Sequence, residues 1–218
     1  MSEESVNPLE EVTESLLRDG GVAEALIPRI DVVFDVTEQP LPVLTLEEGW
    51  DPSTAGDLEI VRDAVRRGVG LQCEPVREFD FAWLDDALPY LRYLHCAGDQ
   101  RAYLNLEAIA EMESLISLTA PPVDHDIDLT GSRELRWLSV TGNGMLSAAR
   151  APKLQTLWLD TSEVPWGTVF SPSVRWASLI LRTLRNVEFA AMTSLERLTL
   201  KVAKEVDLRV VSSLSRLS

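Results

Sequence analysis

The sequence predicts an α/β fold in which short parallel strands, joined by returning segments, follow a small α/β cap. Three observations predict it. Leucines recur about every 20 residues from position 91 onward, β-branched residues mark two earlier segments, and an amphipathic helical pattern lies between them and the repeats. A fixed period in this range is the sequence sign of a solenoid, in which each repeat adds one strand to a continuous sheet.

The repeated unit has apolar residues at its first, fourth and sixth positions. The units begin at residues 91, 115, 135, 154, 174, 195 and 214, with spacings of 24, 20, 19, 20, 21 and 19 residues. The last two apolar positions of each unit are two residues apart, as one face of a strand requires. Stacked units therefore predict a parallel sheet that covers one apolar interior.

The unit Leu135–Met145 reads LRWLSVTGNGM and resembles the pattern L-x-x-L-x-L-x-x-N-x-L of the leucine-rich repeat family. The resemblance covers roughly residues 76–218 and implies a leucine-rich-repeat solenoid with a concave parallel β-sheet. It also implies that Asn143 bonds backbone groups where the chain leaves its strand. Irregular turns are expected where this position holds a residue unsuited to that task, namely at Val123, Arg182 and Ala203.

Residues 30–75 predict the small N-terminal α/β cap. Strands are expected over residues 30–36 and 41–46, followed by a helix from Asp57 that ends before Gly68, and by a further strand near residues 70–74. The segment Val76-x-x-Phe79-x-Phe81 fits the strand pattern of the repeats and is interpreted as the transition into the solenoid over residues 76–218.

Residues 1–29 predict an acidic helical arm. Asn7 and Pro8 suit the start of a helix, Leu9, Val12 and Leu16 lie on one stripe, and Gly20 ends it. Such a terminal helix is an amphipathic cap or a loosely held arm.

Composition and charge exclude several classes of function. The net charge is −15, and residues 1–75 carry 17 acidic and 5 basic side chains, which disfavours binding to nucleic acid or to anionic membranes. The sequence has neither an apolar run of about 18 residues nor a basic and apolar leader. Its two cysteines, Cys73 and Cys96, do not make a disulfide framework, so a cytoplasmic location is expected. Arginine outnumbers lysine 17 to 3, which is typical of a GC-rich bacterial genome.

The residues that flank the middle leucine of each unit point away from the core, onto one face of the sheet. Three tryptophans fall there on successive strands, and arginine occupies the preceding position on alternate strands. Aromatic and arginine residues are enriched in binding hot spots. The candidate partner-binding residues are Arg92, Tyr93, His95, Arg136, Trp137, Trp158, Arg175 and Trp176.

A second interpretation of the tryptophans stays open. A loop, the N-terminal arm or the indoles themselves could cover the apolar face instead of a partner. The arm is acidic and has an apolar stripe, so residues 1–20 are a candidate to pack on this face or to compete for it.

The sequence predicts no catalytic residues, no metal site and no cofactor. His95 and Cys96 are adjacent in sequence, but the repeat register points His95 outward and Cys96 inward, so they are not expected to meet. The run Asp124-His125-Asp126-x-Asp128 has the residue types of a cation site, yet it follows Pro121-Pro122 in a return loop, and a solvated acidic loop is the preferred interpretation.

The expected function is therefore that of a non-enzymatic protein- or peptide-binding module, such as an adaptor, a regulator or a toxin-immunity protein. The alternative is a structural or accessory subunit that acts through its acidic N-terminal region, with the solenoid as a spacer. The strand pattern at Leu214–Ser218 also predicts an unpaired edge of the sheet. Either the natural chain continues there, or the edge pairs with a partner, or it pairs with a second copy to form a homodimer.

Overall fold

The computed structural model describes residues 30–34, 40–46, 55–73, 79–98, 100–123, 125–185 and 187–206. Within them the chain is an α/β protein with a large parallel sheet and few helices. The predicted arm over residues 1–29 and the predicted C-terminal edge lie outside the described residues. The strands are β1 (Ile30–Phe34), β2 (Pro40–Leu46), β3 (Gly70–Cys73), β4 (Phe79–Asp80), β5 (Tyr93–Cys96), β6 (Tyr103–Leu104), β7 (Ser117–Ala120), β8 (Trp137–Thr141), β9 (Thr156–Thr161), β10 (Trp176–Leu184) and β11 (Arg197–Val206).

The helical segments are short. The α-helix α1 spans Ala55–Arg66, and it begins two residues before the predicted start at Asp57. The remaining described segments are 3₁₀ helices, which suit brief connections between neighbouring strands. They span Phe81–Tyr90, Gln100–Ala102, Leu106–Glu111, Leu146–Arg150 and Phe189–Ala191. No helix in the described part of the chain is both long and apolar enough to pass through a bilayer.

Nine strands form the main sheet, in the order β1-β2-β3-β5-β7-β8-β9-β10-β11. The first pair, β1 with β2, is antiparallel, and the eight strands from β2 to β11 run parallel to one another. A separate parallel pair joins β4 to β6. The sheet crosses the predicted cap boundary at residue 75 without a break, because β3 pairs directly with β5.

The middle apolar residues of the units, preceded by Leu71 of the cap, form one continuous row beneath the sheet. Each is the register partner of the next, from β3 through β11: Leu71, Leu94, Leu118, Leu138, Leu157, Ala177 and Leu198. Every member but Leu198 is buried. The leucine period of the sequence thus becomes a lateral row of side chains in the core.

The entry into each strand repeats the same backbone contact. The carbonyl oxygen of Arg136 accepts hydrogen bonds from the amides of Gln155, at 2.9 Å, and Thr156, at 3.0 Å. The same doubly accepting carbonyl recurs one strand earlier and one strand later, at Ile116 and Gln155. A carbonyl oxygen has two lone pairs, so this contact satisfies two donors at each step and holds the strands in constant register.

The cap helix α1 is tied to the Phe81–Tyr90 segment. Its buried side chains include Val61, Ala64 and Val65. The Arg62 Nε donates to the carbonyl of Trp83 at 2.5 Å, and the Arg66 guanidinium donates to Asp86 at 2.6 Å. These contacts place α1 against the first return segment of the repeats.

The structure corrects two expectations about the connections. Phe81 was expected in a strand, but only Phe79 and Asp80 form β4, and Phe81 begins a 3₁₀ helix whose first turn is capped by the Asp80 carboxylate. Burial of Phe81 against Phe79, with ring centroids 5.1 Å apart, explains the apolar spacing without a strand. The apolar residues Leu104, Leu106, Ile109 and Met112 predict a helix in the return over residues 102–114, but this segment contains β6 and one short 3₁₀ helix.

Two of the three positions predicted to be irregular lie where strands continue beyond the expected length, whereas Val123 follows the end of β7 at Ala120. At Arg182 and Ala203 the strands β10 and β11 continue to Leu184 and Val206, with a register shift between Leu181 and Thr183. Within the described residues Asn143 also differs from the expectation, because its Oδ1 accepts a hydrogen bond from the Thr161 hydroxyl at 2.8 Å, a side-chain partner and not a backbone group.

Candidate functional site

Four residues on consecutive strands form one lateral row on the outer face of the sheet. Trp137 on β8 and Trp176 on β10 are both register partners of Thr156 on β9, and Trp176 is also the partner of Arg197 on β11. We call Trp137, Thr156, Trp176 and Arg197 the tryptophan row. Because neighbouring strands lie about 4.8 Å apart, the row spans roughly 14 Å.

Trp158 lies in the next lateral row, two residues further along β9 on the same face. Its register partners are Ser139 and Ser178, whose short side chains leave room around the indole. Thr156 therefore has Trp137 and Trp176 as its neighbours across the strands and Trp158 as its neighbour along its own strand, all on one face. The structure brings together the tryptophans that the sequence predicted to form a single patch.

The indoles are open to solvent. Trp158 is 46% exposed and Trp176 is 42% exposed, whereas Trp137 is half-buried. In the described part of the chain, the close ring pairs involve Phe79, Phe81, Trp83 and Tyr103 rather than these three indoles. A contiguous exposed aromatic patch of this kind is characteristic of an interaction surface.

Thr156 occupies an outward position but is only 8% exposed. Its register neighbours are tryptophans, which explains why so little of it meets water. Among the described residues its hydroxyl Oγ1 has no hydrogen-bond partner. A desolvated and unpartnered hydroxyl is uncommon in a folded protein and needs a reason.

Two of the predicted arginines are already engaged. The Arg175 guanidinium donates to the Glu196 carboxylate from Nε at 2.8 Å and from Nη2 at 2.7 Å, and it lies 5.9 Å from the ring centroid of Trp176. Arg136 also has an interaction partner. Arg92 is exposed at the entry to β5. The arginines lie two strands apart, as predicted, because β7 separates the first pair and β9 the second.

Tyr93 and His95 continue the outer face toward the cap. Tyr93 covers Gly70, where an added Cβ would lie 2.6 Å from the Tyr93 Cβ, and partial burial raises the pKa of the Tyr93 phenol. His95 is half-buried between its register partners Gln72 and Thr119. These two candidate residues are separated from the tryptophans by β7, whose outward side chains are the small Ser117 and Thr119.

The candidate residues predicted from the sequence do not include Arg197, although the repeat register puts it on the outer face, or Trp166, which lies outside that face. Arg197 enters the tryptophan row through the register of β11, and it precedes Leu198 as Trp137 precedes Leu138, which was the available signal. Trp166 is 85% exposed in the return between β9 and β10, at a turn where Gly167 adopts φ +81°. The flanking Pro165 and Gly167 signalled that turn.

The His95 and Cys96 pair separates as the register predicts. Cys96 points into the core and is 4% exposed, facing its register partner Cys73 on β3. Burial, followed by the hydrogen bond and charge interaction with Cys73, raises the pKa of the Cys96 thiol well above its ordinary value. A thiol held neutral in this way is a poor nucleophile.

The acidic loop after β7 makes contacts of its own. His125 Nε2 lies 3.0 Å from the Glu107 Oε1, and both side chains are about half exposed or more. The Asp128 carboxylate accepts a hydrogen bond from the Thr130 amide at 2.9 Å, which lowers the pKa of Asp128. In the described ranges no group of three or more His, Cys, Asp and Glu side chains is placed to hold a metal ion; Asp124 lies outside them.

Comparison with protein-family models, with curated proteins and with solved structures gives no match for this chain.

Proposed function

We propose that this chain is a non-enzymatic binding protein of the cytoplasm, which holds a protein or peptide partner on the outer face of its parallel sheet. The observation that carries the proposal is the cluster of Trp137, Trp158 and Trp176 around Thr156. Tryptophan supplies large contact area for little loss of rotamer freedom, and it dominates the energetics of many interfaces.

We propose a leucine-rich-repeat solenoid as the architecture of residues 76–218. Its concave surface would be the outer face of the sheet, which is the face that points away from the core. The row of register-paired leucines and the recurring doubly accepting carbonyl support this proposal. A repeating coil with the sheet on its inner curve would present the tryptophans to a partner that lies across several strands.

The contacts of the face favour binding over chemistry. The buried Cys73 and Cys96 face the core, while the outer face between β7 and β10 carries mainly serine, threonine and tryptophan, with Asp160 and Ile180 further along β9 and β10. Small polar side chains around aromatic anchors give a surface that can exclude water from a central contact.

The proposal is tested by capture with matched variants. Immobilised wild-type protein, the double variant Trp137→Ala with Trp158→Ala, and the control Trp166→Ala are each exposed to lysate of the source organism. Trp166 is the most exposed tryptophan among the described residues but lies in a return segment, so its removal lowers surface aromatic content without altering the face. A species bound by wild type and control but lost with the double variant, at unchanged melting temperature, supports the proposal. Retention by the double variant contradicts it.

A further inference from the structure

We propose that the tryptophan row binds a polyproline-II segment that crosses the strands, with prolines three residues apart at Trp137 and Trp176 and a carboxylate at Arg197. The inference deepens the proposed function and rests on it. It follows from three properties of the row: its spacing, and a buried hydroxyl and a cation that both lack a partner among the described residues.

The spacing of the two indoles matches the repeat of a polyproline-II helix. Trp137 and Trp176 are two strands apart, which corresponds to about 9.6 Å. A polyproline-II helix has three residues per turn and rises about 3.1 Å per residue, so every third residue returns to the same edge after about 9.3 Å. An α-helix offers roughly 6 Å for four residues or 10.5 Å for seven, and a strand about 6.6 Å for two, so both fit less closely.

The hydroxyl of Thr156 favours the same occupant. It lies midway between the two indoles in the row and has no partner among the described residues. The carbonyls of a polyproline-II helix make no internal hydrogen bonds, whereas those of an α-helix are already engaged. Because Oγ1 is shielded from solvent in the free protein, neighbouring side chains must turn aside before a carbonyl of the ligand can accept its hydrogen bond.

Arg197 supplies the charge complementarity. It is the exposed register partner of Trp176, at the end of the row, and its side chain has no hydrogen-bond or ion-pair partner in the part of the chain that the structure describes. Lys201 is also exposed, and it lies on the same face of β11, four residues after Arg197. Arg175 contributes less, because Glu196 already neutralises it. One strand spacing of about 4.8 Å corresponds to one or two polyproline-II residues, which places the carboxylate just outside the proline pair.

The test uses a synthetic peptide whose sequence is the same in either direction: acetyl-Asp-Ala-Pro-Ala-Ala-Pro-Ala-Asp-amide. It contains no aromatic residue, so the tryptophan fluorescence of the full chain reports binding, and titration is carried to about 1 mM. One control peptide has a third alanine between the prolines, and another has lysine in place of each aspartate. We expect both controls to bind at least about tenfold more weakly.

Protein variants locate the contact. Trp176→Ala is expected to weaken binding about 30-fold, the effect of losing a hot-spot residue. Arg197→Gln is expected to weaken it and to remove most of its salt dependence. Trp166→Ala serves as the control that leaves binding unchanged. Circular dichroism and melting temperature show that each variant remains folded.

Three outcomes overturn the inference: no binding up to the highest concentration, equal binding of the correctly and incorrectly spaced peptides, or unchanged binding by Trp176→Ala. These outcomes leave the proposed function separately testable. A host partner lost with the double variant Trp137→Ala and Trp158→Ala would still support the outer face as a binding surface for a partner of different structure.

Discussion

Trp137 and Trp176 are register partners of the same residue, Thr156, one from each side. This relationship links the fold to the candidate site, because the constant register that aligns the core leucines also places the two indoles in one lateral row. It explains why Thr156, at an outward position, is only 8% exposed. It also leaves the Thr156 hydroxyl buried and without a hydrogen-bond partner in the part of the chain that the structure describes.

Replacing Thr156 by valine is expected to stabilise the protein by about 1 kcal/mol, because a buried hydroxyl with no partner among the described residues is replaced by a methyl group of similar shape. Urea denaturation of the two proteins measures the difference. Thr161→Val is the matched control on the same strand, and it should be destabilising, since the Thr161 hydroxyl donates to Asn143 at 2.8 Å. A loss of stability in Thr156→Val would show that its hydroxyl is satisfied in solution.

Replacing Gly144 by alanine is expected to cost about 1–3 kcal/mol, the range for forcing extra volume into a packed site. The new Cβ would press against the carbonyl oxygen of His125 and lie 2.7 Å from that of Val123, and backbone atoms cannot move aside as a flexible side chain can. Gly131→Ala is the control, because a Cβ there meets nothing within 4 Å. Equal melting temperatures for the two variants would contradict the packing described around Gly144.

Leu138 and Leu198 occupy the same lateral row but differ in burial. Leu138 is 0% exposed, whereas Leu198 is only partly buried on β11. Leu138→Ala is therefore expected to cost about 2–5 kcal/mol, and Leu198→Ala less than half as much. Denaturant unfolding of both variants provides the comparison. A larger loss at Leu198 would mean that β11 is more deeply covered than the structure indicates.

The stability of the protein is expected to fall at alkaline pH partly because of Cys96. Its pKa is raised in the folded state, so its contribution is fully present below the unfolded pKa of about 8.5 and is lost as pH rises toward the folded value. The difference in unfolding free energy between about pH 7 and pH 9.5 should therefore be larger for wild type than for Cys96→Ala. Identical pH dependence in the two proteins would contradict the burial of the Cys96 thiol.

Much of the sheet could be predicted from the sequence because the core imposes a regular spacing. The units beginning at Leu115, Leu135 and Leu154 have nearly equal lengths, so their middle leucines become register partners. The same arithmetic placed the tryptophans on successive strands. Local patterns also indicated β1, β2 and β3, where β-branched residues and glycines mark strands and their limits.

The remaining features depend on contacts between segments that no local pattern specifies. Phe81 has the spacing of a strand residue, yet it packs against Phe79 from a 3₁₀ helix. The pairing of Arg175 with Glu196 depends on two strands that meet only after folding. Likewise, the isolation of the Thr156 hydroxyl depends on its neighbours in register, so a threonine in the sequence gives no indication of it.

The central claim is that a partner covers the outer face at Trp137, Trp158 and Trp176. Hydroxyl-radical footprinting with mass spectrometry measures the oxidation of each tryptophan in the free protein and in the complex with its captured partner. We expect strong protection of Trp158 and Trp176, which are 46% and 42% exposed, together with protection of Trp137, while Trp166 at 85% remains reactive. Unchanged oxidation of the three tryptophans in the complex would contradict the claim.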